Sequence, residues 1–130
     1  MELDAKHKVL FAIYAEYLKD LPDMASITFA RLDMDQAVFY MALLKLQNEG
    51  FIDGLKTFPP NTRMLPRSVT LDSVMMTRWG IEYTEQKLEI ERMNTSQEKL
   101  KQLVYKFGKF GWRILQNVAE DILKKYFESF

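Results

Sequence analysis

The chain reads as mainly α with a small β-hairpin (an α+β protein), ending in a long helix, and three stretches carry that expectation. The first is Met34 to Gly54, where Phe39, Ala42, Leu43 and Leu46 recur at helical spacing on one face and Gly50-Phe51-Ile52 turns the chain into a strand. The second is Thr57 to Pro66, which holds three of the four prolines and no periodicity, flanked by strand-like runs. The third is the last third of the chain, where apolar residues step by three and four almost to the end.

In order, residues 4 to 19 predict a helix with Val9, Leu10, Ile13, Tyr14 and Tyr17 on its apolar stripe and Lys6, Lys8, Glu16 and Lys19 on its wet side. Leu21, set before Pro22, is pushed away from helical dihedrals and stops it. Ser26 to Leu32 alternates like a strand at Ile27 and Phe29, yet lies where a helix-turn-helix places a short helix. A short irregular piece is expected. The helix after it takes Asp33 or Asp35 as N-cap. Phe51 to Phe58 and Arg67 to Leu71 are the two strands of the hairpin, Arg67 to Leu71 being rich in β-branched residues. Thr77 caps a helix from Arg78 to about Arg92, anchored by Trp79, Tyr83 and Leu88. Asn94-Thr95-Ser96 then breaks the chain and caps a final helix to about Phe127, with Glu98 in its first turn. Its seam is Leu100, Val104, Gly108, Gly111, Leu115, Val118 and Ile122, widened by Leu103, Phe107, Phe110 and Ile114. Two glycines inside a helix cost roughly 1 kcal/mol each against alanine, so they should serve a close approach or a bend near Gly108. The layout divides at about residue 93, with a domain before it and an amphipathic helix, docking or dimerising, over 94–130.

Three of these pieces together resemble winged helix-turn-helix proteins: Phe39-x-x-Ala42-Leu43-x-x-Leu46-x-x-x-Gly50-Phe51-Ile52, the hairpin, and Thr77-x-x-Gly80-x-x-Tyr83. More narrowly, residues 5 to 90 resemble the YjcQ-like family of small, phage-associated winged-helix proteins of Gram-positive bacteria. The resemblance implies a winged-helix fold and a phage or prophage setting. That family has no established biochemical activity, and its layout needs no C-terminal helix of this length.

Composition narrows the chemistry. Cysteine is absent and His7 is the single histidine, so one chain offers no disulfide, thiolate nucleophile or multi-histidine metal site. No nucleophile elbow or glycine-rich phosphate loop is present, and no cofactor is expected. Asp4 and His7 share a helical face, for which capping is the simpler role than catalysis. Glu82, Glu85, Glu89 and Glu91 read as the solvated side of a helix. Eight methionines and fifteen Phe and Tyr residues sit mostly at core spacing, and Trp79 and Trp112 are read as anchors. The charged N-terminus and the lack of an apolar run of ~20 residues point to a cytoplasmic protein without a membrane span.

Two functional readings remain. In the first, the protein is a non-catalytic DNA-binding regulatory module, with Tyr40, Lys45, Lys56, Arg63 and Arg67 as contacts and Arg63 the single best choice. The hairpin supports it, because Lys56, Arg63 and Arg67 between Gly54 and Leu71 meet no acid and give a local +3. The helix opposes it, because Asp33, Asp35 and Glu49 against Lys45 give −2. In the second, the protein is an interaction or dimerisation adaptor. Met34, Val38, Met41 and Leu44 leave the helix apolar most of the way round, and such a helix is generally covered. The C-terminal helix, from the same chain or a partner, is the expected cover, and its own seam through Val104, Gly108, Gly111, Leu115, Val118 and Ile122 is expected to dock on its domain or pair in a homodimer.

Overall fold

The computed structural model describes residues 2–60 and 64–127. It is an α+β arrangement of five α-helices and a short antiparallel hairpin system. Its centre is α1, Ala5–Tyr17, in which the eight consecutive residues Val9 to Glu16 are all buried. A helix covered on every side must be surrounded, and α1 contacts α2, α3, α5 and the hairpin. The expected wet side of α1 is therefore corrected at Glu16. Its carboxylate is 1% exposed and takes hydrogen bonds from the Asp23 amide (2.8 Å) and from Lys19 Nζ (2.9 Å), which offset its loss of water.

After α1 the chain makes a 3-10 turn at Met24–Ser26 and then a single hydrogen-bonded turn closed by Leu32 N–H to Thr28 O (3.1 Å) and Met34 N–H to Phe29 O (2.9 Å). Ile27 and Leu32 from this piece enter the core. α2, Gln36–Asn48, is capped by Asp35, which accepts from the amides of Ala37 and Val38. It buries Phe39, Ala42, Leu43 and Leu46, the face its spacing predicts.

The hairpin is more broken than two continuous strands. β1 (Ile52–Asp53) pairs with β4 (Met75–Met76), and β2 (Lys56–Phe58) pairs with β3 (Ser68–Thr70), in registers Ile52↔Met76 and Thr57↔Val69. Between the two ladders the returning strand carries two extra residues, turned by Val74 N–H to Leu71 O (2.9 Å), while Leu55 donates its N–H to the Gln47 side chain (2.7 Å). α3, Arg78–Leu88, starts at Thr77, whose hydroxyl accepts from Gly80 N–H. It ends four residues earlier than expected, at Glu89, which adopts a left-handed conformation.

The single long C-terminal helix is corrected to two. α4, Ser96–Lys109, and α5, Arg113–Ile122, fold against each other, and a wider helical turn continues α5 over Leu123–Phe127. Gly111 makes the reversal at φ +76°, with Trp112 N–H returning to Phe107 O (2.8 Å) in a Schellman closure. Gly108 faces α5 one turn before the reversal. A Cβ there would meet only the flexible amide end of the Gln116 side chain and no backbone, so the close backbone approach expected at Gly108 is not what the structure places there. α5 also lies on α1, and one core cluster joins residues from before and after residue 93.

Two caps have a pH signature. The Asp4 carboxylate accepts from the backbone N–H of His7 (2.8 Å) and sits 2.7 Å from its ring. Partial burial disfavours its charge, but those bonds from His7 outweigh it and hold the carboxyl below its ordinary range. Glu98, in a capping box with Thr95, is likewise lowered by the bond from the Thr95 backbone. Lowered carboxyls stabilise the fold fully above the unfolded-state value near ~4, and that contribution fades as pH falls through the lowered values. An Asp4→Asn/Glu98→Gln protein is therefore expected to show a flatter fall of Tm below about pH 4. An unchanged acid slope in calorimetry would count against both caps.

Candidate functional site

The outward face of α2 meets the start of α1 and the returning arm of the hairpin in an open groove of about 370 Å³. α2 contributes Ala37, Val38, Met41, Ala42 and Lys45, α1 contributes Ala5 and Lys6, and the hairpin contributes Leu65. Residues 37, 38, 41 and 45 share this face because α2 turns about 100° per residue. Val38 is 45% exposed, Met41 37% and Leu65 47%. Exposed apolar side chains are ordinary one at a time; these three are notable because they line one groove.

This overturns the expected cover. The α4–α5 hairpin lies against α1, and neither helix lines the groove among the described residues. Met34 and Leu44 are partly buried against the core, so the bare part of the ring is Val38 and Met41. The proposed dimer seam is corrected too. Leu115, Val118 and Ile122 are at most 5% exposed within their own chain, Val104 is half-buried, and Gly108 and Gly111 sit at the turn. Because the helix reverses, these six residues never form one continuous stripe.

The predicted nucleic-acid contacts are not gathered in one place. Lys45 lines the groove and has no ion-pair partner among the described residues. Tyr40 lies five positions earlier, about 140° round the helix at 100° per residue. It lines a different recess with Phe29 and Val69, and its hydroxyl accepts from Gln36 Nε2 (3.0 Å). Lys56 is exposed on β2, opposite Thr70, and Arg67 is exposed beside β3. Arg63 lies outside the described residues. At the N-terminal end of α2, Asp33 and Asp35 are both exposed, which places negative charge where a phosphate would have to approach.

Two residues of the groove, Lys6 and Leu65, carry no local signal in the sequence. Lys6 Nζ reaches Glu49 Oε1 at 2.8 Å, tying the start of α1 to the end of α2. That hydrogen bond raises the ammonium's pKa against the opposing effect of partial burial.

Elsewhere, His7 is held at both ring nitrogens. Nδ1 faces Asp4, and Nε2 is 2.6 Å from the Tyr83 hydroxyl. The ring clamps α1 to α3 with neither nitrogen left for a ligand. Glu85, read from sequence as solvated, is 5% exposed and is a correction of the same kind. It accepts from Tyr14 Oη and Lys99 Nζ, each at 2.7 Å. Burial, and then the bond to Glu85, push the Tyr14 phenol well above its usual pKa. Among the described residues no cluster of histidine, aspartate and glutamate is placed to hold a metal ion, and no helix is long and apolar enough to cross a membrane. No family model, curated protein or solved structure matches the chain.

Proposed function

We propose that the chain is a non-catalytic winged-helix module, in a phage or prophage setting like the family it resembles, and that it works as an adaptor docking a protein partner on the α2–hairpin face. The winged-helix reading is supported by the order α1, hydrogen-bonded turn, α2, hairpin, α3. The observation that carries the docking role is the uncovered apolar strip of Val38, Met41 and Leu65, with Ala37 beside it. Contiguous exposed apolar surface edged by polar residues marks interaction sites.

DNA binding is the second reading, favoured by one feature. Lys56 and Arg67 are exposed on the hairpin with no described partner, and no acid lies between residues 54 and 71. In that reading the hairpin meets the backbone, and Lys45 is the cation α2 supplies.

The two readings separate in three measurements. A photo-crosslinking side chain at position 41 is expected to give one discrete protein adduct in cells, where the same group at the 91%-exposed position 93 gives none. With the partner purified, Val38→Asp should weaken the complex at least tenfold and Met93→Asp should leave it unchanged. Duplex binding by fluorescence anisotropy should be negligible. A log Kd that instead varies steeply with log salt, with Arg67→Ala reducing that slope by about 1, moves the assignment to DNA.

A further inference from the structure

Resting on the docking reading, we infer that the groove between α1 and α2 takes an amphipathic helix whose apolar side chains are flanked by carboxylates. The shape comes first. α2 supplies most of the lining, with the first two residues of α1 and the hairpin's Leu65 beside it, and Ala5, Ala37 and Ala42 are small side chains among them. Small residues let a helical backbone come close while Val38, Met41 and Leu65 surround what it inserts.

Charge at the strip itself, rather than the net −2 over Asp33 to Gly50, then selects the occupant: Asp33 and Asp35 precede Val38 in the chain, and Glu49 is held by Lys6. Among the described residues both charged side chains lining the groove are lysines, and no carboxylate lines it. Glu49 already engages Lys6, whereas Lys45 has no described partner and stands one helical turn beyond Met41 on the same face. Val38 and Lys45 are seven residues apart, so roughly 10 Å of helix separates the apolar contact from the cation. A partner helix laid along α2 meets that spacing with an apolar residue and a carboxylate about two turns apart. A polyanion is a poorer fit to this lining, because Lys45 is the one unpaired cation among the described groove residues and leaves most phosphates unpaired.

A second copy is the other occupant to weigh. The recess at the end of α3 is lined by Glu82, Glu85, Glu89 and Glu91 together with Arg92, but Glu82 already pairs with Arg78 and Glu85 with Lys99. Its carboxylates are thus partly spent within the chain.

The test uses the full chain and two synthetic helical peptides. Both carry leucines at i, i+4 and i+7; one has glutamates flanking them, and the other lysines at the same positions. Methyl NMR is expected to show the acidic peptide shifting Val38, Met41 and Leu65, with the exposed Leu21 unmoved as a control. The acidic peptide should bind at least tenfold more tightly than the basic one, and Lys45→Glu should reverse that order. Equal affinities, shifts confined to other residues, or no binding of either peptide overturn the inference. Sedimentation showing a self-associated chain whose dimer is broken by Met41→Asp overturns it as well, in favour of a second copy. If the peptides fail while position 41 still crosslinks a protein whose complex Val38→Asp weakens, the adaptor reading stands and only the acidic helix is lost.

Discussion

Lys99→Met is expected to destabilise the fold by roughly 3–5 kcal/mol, because it leaves a buried carboxylate without its cation. The Glu85 side chain is 6% exposed and that of Lys99 13%, so water cannot replace the lost ammonium. Tyr14 would remain as a donor to the same oxygen, Glu85 Oε2, but a neutral hydroxyl does not balance a charge. The three residues come from α1, α3 and α4, so the loss is felt where the C-terminal helices join the rest of the fold. Against a typical total stability of about 5–15 kcal/mol, a loss of that size should be plain in urea denaturation. Adding Glu85→Gln to Lys99→Met removes the stranded charge and should recover most of the deficit. A loss below about 1 kcal/mol, the range of exposed pairs, would mean that Glu85 is hydrated.

What could be read from the sequence was what the chain decides locally. Asp35, Thr77 and Thr95 announce three helix starts, since a cap is a contact between a side chain and amides two or three residues on. Helix ends were less legible, although three of them share one closure. Phe51, Ile90 and Trp112 each return an N–H to a carbonyl five residues back, at Leu46, Glu85 and Phe107. Gly50 revealed the first. Glu89 hid the second, because a left-handed glutamate gives no warning in sequence. Gly111 was read as interior, because the apolar spacing runs on through it. Its likeness to Gly50-Phe51, a glycine followed by an aromatic that reaches back, was the available signal. Burial of α1 was illegible because Glu16 imitates a wet face, and its partners at Lys19, Asp23 and Ser26 appear only once the chain turns. The groove joins residues 5, 41 and 65, and no local rule brings those positions together. The apolar ring on α2 was visible in advance. Which neighbour covered it was not, because that depended on where a misread helix reversed.

That reversal sets the second large effect. Phe107→Ala is expected to cost about 3–5 kcal/mol, the usual range for removing a buried phenylalanine. Its ring is fully buried and stacks on Phe11 (centroids 6.3 Å apart) while touching Trp112 (6.1 Å), and Phe11 stacks in turn on Trp112 at 5.8 Å. The cluster therefore spans α1, α4 and the turn before α5, and its loss opens a cavity at the centre of the molecule. Tyr105, two residues away on the same helix and 67% exposed, is the matched control: Tyr105→Ala should change stability by no more than about 0.5 kcal/mol. The same contacts forecast the fate of a chain ending at residue 94. It lacks Leu100, Leu103, Phe107, Leu115 and Val118, all buried against the remainder, and it strips Phe11 and Tyr14 of their cover. Such a chain should show no cooperative thermal transition and should bind a dye specific for exposed apolar surface. If it instead melts sharply near the full-length Tm, α4 and α5 are an appendage, and the boundary expected near residue 93 is real. A helix pair that completes the core around α1 has its apolar seam committed within its own chain, so the docking face proposed on α2 does not depend on that seam.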